Sequence, residues 1–207
     1  SEDVFKTKKS KLLKIPGVGT KLANSILASN VLPRAEKEML FIEKYKIIPL
    51  FYLDEKYPAR LKHCNDAPII LFYRGNADLN VPRVVSFVGT RSATQYGKEI
   101  TEKLIEGLAD LKVLIISGLA LGIDVCAHRA ALKDGLDTVG VLGHGLDRIY
   151  PAVHSQTAKK MVEQGGLITE FFSGTGPDRE NFPKRNRIIA GMSDAVVVVE
   201  TRMRGGA

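Results

Sequence analysis

The sequence is poor in the residues that build disulfide scaffolds and structural metal sites. It has only two cysteines among 207 residues, Cys64 and Cys126, and they form no CxxC pair. Its four histidines show no spacing typical of zinc ligands. No GxGxxG motif follows the first strand-like run, and no GxxxxGKS or GxxxxGKT motif occurs anywhere. We therefore expect neither a bound metal nor a cofactor.

Long apolar stretches are also absent. No run approaches the roughly 18 to 20 residues that a membrane-spanning helix requires, and the basic amino-terminal end lacks the apolar segment of a signal peptide. These absences predict a soluble cytoplasmic protein with no membrane partner. The sequence begins at Ser1 without a methionine and stops at Ala207 just after a predicted strand, so we expect the natural protein to continue further.

What the sequence does have is an ordinary globular composition with an excess of basic residues. Hydrophobic residues make up 44% and charged residues 26%, which predicts a packed core. Thirty Lys and Arg against 23 Asp and Glu give a formal charge of +7. Residues 1–60 contribute +5 of this charge, from 12 basic and 7 acidic side chains. The balance favours a polyanionic partner such as a nucleic acid.

The first 50 residues predict a small all-helical domain. A Gly-Val-Gly turn at 17–19 precedes a helix in which Leu22, Ile26 and Leu27 share one face, and a second helix is predicted over 33–46. The turn resembles that of helix-hairpin-helix elements, whose amides can bind a DNA phosphate. Packing or a partner contact is the commoner use of such a turn, and it is the interpretation we favour. The polar stretch that follows places a domain boundary near residue 50.

From residue 51 onward, short apolar runs alternate with amphipathic helical segments. Runs that are apolar on both faces are typical of parallel strands covered by helices on both sides. They predict an α/β fold, a Rossmann-like doubly wound and mostly parallel sheet that is truncated at its carboxyl end, with residues 69–73 as an extra strand. The predicted parallel strands are 84–89, 113–118, 138–143, 167–171 and 195–200, with helices between them that include 124–133, 154–164 and 185–192.

The loops after the predicted strands are rich in glycine and polar residues. Gly89, Thr90 and Arg91 follow the first run, and Ser117 and Gly118 end the second. Ligands of doubly wound sheets bind at this edge, where glycines permit close backbone approach and helix starts attract phosphate. For any one loop, a tight turn is the simpler explanation of the glycines. Five such loops on one edge, at 89–92, 117–122, 143–148, 173–176 and 201–206, favour phosphate binding.

Four ionisable residues near this edge could in principle support acid–base chemistry. Asp124 fits a first-turn acid of a helix, and His128 fits a packed helix residue with one satisfied nitrogen. No nucleophile and base accompany Glu170 or Glu200, so we interpret both as structural. The sequence therefore predicts no catalytic residue and a protein that is not an enzyme.

The segment 179–187 combines positive charge with an aromatic ring. Four basic side chains, one acidic side chain and Phe182 lie within nine residues. Cations at a helix amino terminus oppose the helix dipole, which costs up to about 1 kcal/mol each, so stability does not explain their placement. The cations suit nucleic-acid phosphates, whereas Phe182 either stacks on a base or packs under the loop.

The motifs of the second region resemble, in order, those of the bacterial DNA-processing protein A family (DprA, also called Smf). The resemblance implies a non-enzymatic protein that binds single-stranded DNA in natural transformation, protects it, helps to load the RecA recombinase and forms a homodimer. A helical domain, SAM-like or helix-hairpin-helix-like, often precedes the Rossmann-like domain in this family. The motifs, spread over roughly residues 50–207, are Tyr57-Pro58, Val88-Gly89-Thr90-Arg91, Ser117-Gly118-Leu119-Ala120-Leu121-Gly122, Gly143-His144-Gly145-Leu146-Asp147 and Phe182-Pro183-Lys184-Arg185-Asn186-Arg187.

The same resemblance implies which residues bind DNA. Arg91 and the basic segment would form a positive pocket for the strand, Phe182 would lie beside a base, and amides of the first two loops would meet phosphate. The implied DNA-binding residues are Gly89, Thr90, Arg91, Ser117, Gly118, Arg179, Phe182, Lys184, Arg185, Asn186 and Arg187.

Two other functions compete with this one. A nucleotide-processing enzyme of the phosphoribohydrolase (lysine-decarboxylase-like) type shares the Rossmann-like sheet and a Ser-Gly start to its second loop, but its typical Pro-Gly-Gly-x-Gly-Thr run is missing here. A scaffold whose basic rim meets an acidic protein is the third possibility. Release of free base from a nucleoside monophosphate distinguishes the enzyme, and competition by an oligonucleotide argues against the scaffold.

Overall fold

The computed structural model describes residues 3–201, and these divide between two compact units, Ser1–Leu40 and Phe41–Ala207. Of the predicted loop at 201–206, residues 202–206 lie outside the described part of the chain. No helix within residues 3–201 is both long and apolar enough to cross a membrane.

The first unit consists of short helices, as predicted. They are α1 (Asp3–Lys6), α2 (Lys9–Leu12), α3 (Thr20–Ala28) and the start of α4 (Leu32–Lys44). The predicted helix is present, but of the three apolar residues predicted for one face Ile26 is half-buried while Leu22 and Leu27 are exposed, and Ala23 is the buried residue of the helix. Helices α1 and α2 both pack on α3. Leu12 of α2 is buried as well, so the interior of this unit contains both a small and a large apolar side chain.

The second unit contains a seven-stranded mixed sheet with the order β1-β2-β6-β5-β4-β3-β7. Strands β3 to β7 run parallel to one another, whereas β2 pairs antiparallel with both β6 and β1 at one end of the sheet. The predicted fold class, a mostly parallel Rossmann-like sheet, is confirmed. The strands are β1 (Ile48–Phe51), β2 (Ile70–Gly75), β3 (Val84–Gly89), β4 (Leu114–Ser117), β5 (Thr138–Val141), β6 (Gly165–Thr169) and β7 (Ala195–Glu200).

Strand β1 lies where the sequence predicted only a connecting stretch, and the boundary predicted near residue 50 falls inside it. Pro49 obscures the strand in the sequence because proline lacks the N–H that a sheet ladder uses. An edge strand tolerates this loss, since one side of its backbone needs no partner. Here β1 pairs only with β2 and buries Leu50.

Four helices connect and cover the parallel strands: α5 (Gln95–Glu106), α6 (Ile123–Lys133), α7 (Ser155–Glu163) and α8 (Asn181–Gly191). Helix α8 begins four residues earlier than the predicted start at 185, so the basic segment is largely helical. Pro183 is compatible with this start because the first turn of a helix has no intrahelical use for its N–H groups.

The hydrophobic core lies on both faces of the sheet. Leu114 and Ile116 of β4 pack with Ile188 and Ile189 of α8, whereas Ile115 packs on the other face. This alternation follows from the two-residue period of a strand. Helices α5, α6 and α7 contact one another in sequence, so they form one layer and α8 belongs to the other.

The strand order reverses beside β3. The chain steps from β3 through β4 and β5 to β6 in one direction, and then crosses back to place β7 on the other side of β3. Because right-handed crossovers in opposite directions put their helices on opposite faces, a crevice opens at the carboxyl ends of the strands where the order reverses. The loops after β3 and β4 and the start of α8 meet at this crevice.

Candidate nucleic-acid interface

A cleft of about 550 Å³ lies at this edge of the sheet. It draws its walls from the end of β3, the loops after β4 and β5, and the first turns of α8. The structure thus brings together side chains that are up to about a hundred positions apart in the sequence. Six residues predicted to bind DNA line the cleft: Gly89, Arg91, Arg179, Phe182, Arg185 and Asn186.

The ring of Phe182 is the centre of the cleft. The guanidinium carbon of Arg91 lies 5.4 Å from the ring centroid, and that of Arg185 lies 6.0 Å from it. Both distances are within the range of cation–π contacts. The ring of Tyr150 lies 6.1 Å from that of Phe182, centroid to centroid, with 37° between the planes. The cleft therefore offers two aromatic surfaces beside positive charge, which is the combination that single-stranded nucleic acids bind.

Arg91 is exposed on the loop after β3, and Glu200 of β7 holds that loop in place. The backbone N–H of Thr94 donates to Oε2 of Glu200 at 3.0 Å, and the N–H of Thr90 donates to the Glu200 carbonyl at 2.7 Å. Glu200 thus orients the loop, in agreement with its interpretation as a structural residue. The positive charge of Arg91 stays available at the mouth of the cleft, since no hydrogen bond or ion pair to it occurs among residues 3–201.

Arg185 is a buried cation in the floor of the cleft, with 3% of its surface exposed. Its Nη1 donates to the carbonyl of Val141 at the end of β5, at 2.6 Å. Burial lowers the pKa of Arg185, and the nearby charge of Asp124 acts in the opposite direction. The guanidinium therefore joins α8 to β5 and supports the Phe182 ring, so it differs from the exposed cations at the mouth.

Asp124 in the first turn of α6 is buried below the same loops. Burial raises the pKa of this carboxyl group, and the charge of Arg185 with hydrogen bonds from the amides of Ala120 and Gly118 partly offsets the rise. The carboxylate holds the loop between β4 and α6, as expected for a first-turn acid.

The predicted phosphate contacts by loop amides are not what the structure shows at three of the four positions. Ser117 and Gly118 are buried: the Ser117 hydroxyl donates to the carbonyl of Phe87 at 2.6 Å, and the Gly118 amide donates to Asp124. The Thr90 amide pairs with β7. The amides of Thr90 and Gly118 are thus used within the fold, and Ser117 is buried at the end of β4.

Gly89, Gly118 and Gly122 in the loops after β3 and β4 are explained by close packing. A Cβ atom at residue 118 would overlap the guanidinium of Arg185, and one at residue 89 would lie within 2.5 Å of Cγ1 of Ile123. Gly122 combines a φ of 80° with contacts to the backbone of residues 90 and 91. Gly89 lines the cleft, but packing explains why it is a glycine. The tight-turn interpretation therefore accounts for more of this pattern than a rim of phosphate-binding amides does.

Arg187 and Lys184 lie outside the cleft lining. The guanidinium of Arg187 pairs with the carboxylate of Glu170 and donates to the backbone carbonyl of Asp66. The Arg187 side chain is only 27% exposed, and the Glu170 carboxylate compensates its charge within the fold. Lys184 is exposed on the outer side of α8. Of the two cations, the structure leaves Lys184 available to a ligand.

The histidines of the second unit's interior are packed groups. His128 is fully buried, its Nδ1 lies 2.7 Å from Oγ1 of Thr138, and its Nε2 has no hydrogen-bond partner among residues 3–201. Burial lowers the pKa of His128 to about 3, so the ring is neutral. Within residues 3–201, no three side chains of His, Cys, Asp or Glu are grouped so as to hold a metal ion.

Tyr150 and Pro177 line the cleft and were not predicted as site residues. Tyr150 is 50% exposed on the loop after β5 and precedes Pro151 through a cis peptide bond. An aromatic residue in a loop at the ligand-binding edge is a signal that the sequence carried. Because Tyr150 and Phe182 are 32 positions apart in the sequence, the sequence does not show that their rings lie close together.

Comparison with known proteins assigns the family. Residues 49–207 match the family described as DNA recombination-mediator protein A. The chain belongs to this family. The predicted relationship to the DNA-processing protein A family (DprA/Smf) is confirmed. The chain is 34% identical to the DNA processing protein DprA of Streptococcus pneumoniae over 99% of its own length and 79% of the relative. It is 44% identical to a putative DprA of Mycobacterium tuberculosis, over 72% of the chain and 39% of that relative.

Two solved structures agree with this assignment. DprA from S. pneumoniae has a TM-score of 0.76 and 33% identity, over 99% of this chain and 75% of that chain. DprA from Helicobacter pylori has a TM-score of 0.71 and 29% identity, over 78% of this chain and 73% of that chain, and its structure is described in terms of a unique single-stranded DNA binding mode. The chain spans well under half the length of the mycobacterial relative and just over half of the Synechocystis Smf protein.

Proposed function

We propose that this member of the DprA family binds single-stranded DNA in the cleft around Phe182 and acts as a recombination mediator without catalysing a reaction. The observation that carries the proposal is the half-buried Phe182 ring with the Arg91 guanidinium 5.4 Å from its centroid, at the edge where doubly wound sheets bind ligands. The single-stranded DNA binding mode described for the H. pylori relative supports it.

The cleft residues divide into two roles. The exposed cations Arg91, Arg179 and Lys184 would neutralise phosphates along the strand, and Asn186 would add a polar contact. Phe182 and Tyr150 would stack on unpaired bases, a contact that every base can make. Both contacts are independent of sequence, so we expect binding without strong sequence preference. Duplex DNA keeps its bases stacked inside and would gain little from the two rings.

The proposal of binding without catalysis is supported by the state of the acidic groups at this edge. Asp124 is buried and holds loop amides, Glu200 orients the loop after β3, and Glu170 pairs with Arg187. Each carboxylate already has a structural use. Release of free base from a nucleoside monophosphate by the purified protein would contradict this part of the proposal and support the phosphoribohydrolase alternative.

The wider role rests on the family. We propose that the chain protects incoming single-stranded DNA in the cytoplasm during natural transformation, helps to load RecA, and does so as a homodimer. We also propose that the predicted DNA-binding domain, residues 51–207, and the predicted helical domain, residues 1–50, are separate domains, with β1 (Ile48–Phe51) belonging to the sheet of the DNA-binding domain. RecA assembly on DNA covered by single-strand-binding protein, followed by the ATP hydrolysis of RecA with and without this chain, tests the loading step. Sedimentation equilibrium tests the dimer.

Fluorescence anisotropy with a labelled oligo-dT, in a salt series, tests the binding site. We expect Phe182→Leu to weaken binding by about 5- to 150-fold, because base stacking on an aromatic ring contributes about 1 to 3 kcal/mol. Tyr96→Leu is the matched control, since Tyr96 is an exposed tyrosine on α5 that does not line the cleft. It should bind as the starting protein does.

The salt dependence of the affinity for oligo-dT measures how much the cationic side chains contribute to binding. Arg91→Ala should reduce the slope of log affinity against log salt by about 0.7, the value for one phosphate contact on a single strand. Arg129→Ala, which removes an exposed arginine from α6, should leave the slope unchanged. If Phe182→Leu and Tyr96→Leu bind oligo-dT equally well, the cleft is not the binding site and the proposal fails.

A further inference from the structure

Five exposed lysines lie within residues 8–21, a segment that includes α2, the turn after it and the start of α3, and no acidic residue lies between them in the sequence. Every residue from 4 to 35 is neutral or basic. We call the five, Lys8, Lys9, Lys11, Lys14 and Lys21, the lysine surface. All five are exposed, and none takes part in an ion pair between described residues. A run of like charges without counter-charges costs free energy through mutual repulsion, so the stability of the helices does not explain it.

We propose that the first unit binds the phosphate backbone of duplex DNA through the lysine surface. This site is separate from the cleft around Phe182 and does not depend on it. The ligand class follows from the charge: five unpaired cations within 14 residues match a dense linear polyanion, and binding would release the counterions that it has condensed.

The residues around the lysines favour a duplex over a single strand. Phe5 is the sole aromatic residue in 3–40, and its side chain is half-buried. Proteins that hold single strands combine cations with exposed aromatic rings on which bases stack. A surface with cations and no such ring can contact only phosphates, which a duplex presents on its outside while its bases stay paired.

The turn between α2 and α3 leaves its backbone open to close approach. Gly17 has a φ of 84°, which the turn requires of it, but Gly19 has an ordinary φ of −83°. Capping does not require glycine at residue 19, because serine or asparagine caps a helix at least as well. A Cβ atom at Gly19 would meet nothing within 4 Å, so packing inside the protein does not require glycine either. Close approach of a DNA backbone to the turn does explain the glycine at residue 19.

The test compares two sets of lysine substitutions in the full chain. The first variant carries Lys8→Gln, Lys11→Gln, Lys14→Gln and Lys21→Gln. The control carries Lys98→Gln, Lys103→Gln, Lys133→Gln and Lys159→Gln, four exposed lysines on the helices of the second unit that do not line the cleft. Both lower the net charge by four. The probes are a covalently closed duplex, which has no single-stranded ends, and oligo-dT.

We expect the first variant to reduce the salt slope for the duplex by about 0.9 for each lost contact, up to about 3.6, while oligo-dT binding stays within twofold. The control should keep the duplex slope. The proposal is overturned if the starting protein does not bind the closed duplex, if the first variant binds it as the starting protein does, or if both variants lose affinity equally. Loss of oligo-dT binding alone would concern the cleft and not this surface.

A single substitution provides a test that does not change charge. Gly19→Ser adds a side chain at the open turn and supplies a favourable helix cap, so the free energy of unfolding should stay the same or rise slightly. Duplex affinity should nevertheless fall at least threefold, because the added atoms keep the DNA backbone away. Unchanged duplex affinity in a stable Gly19→Ser protein would show that the turn does not meet DNA.

Discussion

The guanidinium of Arg185 fills the space that a side chain at Gly118 would occupy. A Cβ atom at residue 118 would overlap Nη1 of Arg185, the same atom that donates to the Val141 carbonyl at 2.6 Å. The end of β4, the end of β5 and the start of α8 are thus joined through one buried cation, and the Phe182 ring rests beside it. The Arg185 guanidinium can lie beside the Phe182 ring in this position because residue 118 has no side chain.

Gly118→Ala should therefore disturb both stability and the cleft. The methyl group displaces the Arg185 guanidinium from Val141, and the loss of a buried charged hydrogen bond costs about 1 to 3 kcal/mol in the free energy of unfolding. Gly107→Ala is the control: residue 107 has a φ of −65°, and a Cβ there makes only ordinary contacts at 3.5 Å. It should be neutral or slightly stabilising. Urea unfolding of both variants, together with oligo-dT affinity, checks the prediction.

Substitution of Arg187 should change stability but not DNA binding, whereas substitution of Lys184, three residues earlier, should change DNA binding but not stability. Arg187→Gln leaves the Glu170 carboxylate, which is 18% exposed, without its ion-pair partner, so we expect a loss of about 1 to 3 kcal/mol in the free energy of unfolding. Its oligo-dT affinity, measured well below the melting temperature, should stay within twofold. Lys184→Gln should show the opposite pattern, with unchanged stability and a salt slope reduced by about 0.7. An Arg187→Gln protein that binds as weakly as Arg91→Ala would contradict our assignment of Arg187 to a structural role.

Tyr150 should contribute to binding as a second ring of the cleft. Tyr150→Leu removes the aromatic surface 6.1 Å from Phe182, and we expect oligo-dT affinity to fall by about 5-fold or more. Tyr150→Phe retains the ring and should bind nearly as well as the starting protein. Equal affinities for the Leu and Phe variants would mean that no base stacks on residue 150.

The buried His128 should make the protein less stable in acid. Its pKa is about 3 in the folded protein and 6.5 in a free side chain, so the unfolded chain binds the extra proton between these values. Stability from this group is complete above about pH 6.5 and is lost progressively as the pH falls towards 3. Between pH 7 and pH 5 the loss is about 2 kcal/mol.

His128→Gln isolates this contribution from that of other ionisable groups. The variant lacks the titrating ring, so its free energy of unfolding should fall by about 2 kcal/mol less than that of the starting protein between pH 7 and pH 5. Urea unfolding at the two pH values measures the difference. Parallel pH dependences for the two proteins would show that His128 does not titrate on unfolding.

Most of the secondary structure of the second unit follows from the sequence because periodicity is a local property. Strands β3 and β7 have the predicted limits, and the other parallel strands and helices differ from prediction mostly by a few residues. Strand β1 was missed because Pro49 is a local signal against a strand, and only the pairing of β1 at the sheet edge makes that proline acceptable. The exposure of Leu22 and Leu27 in α3 was not predicted, because a local period does not show which residues the neighbouring helices cover.

The sequence by itself determined the class of fold and the family, and it identified the loops, Phe182 and Arg91 that we propose as the binding site, because these depend on residue type, order and local period. Only the tertiary structure decided which side chains face the cleft. It buries Arg185, commits Arg187 to Glu170 and the Gly118 amide to Asp124, and brings Tyr150 to Phe182. The members of these three pairs lie between 6 and 32 positions apart in the sequence. Their contacts form only when the sheet and its two helical layers pack together, so a linear pattern does not show them.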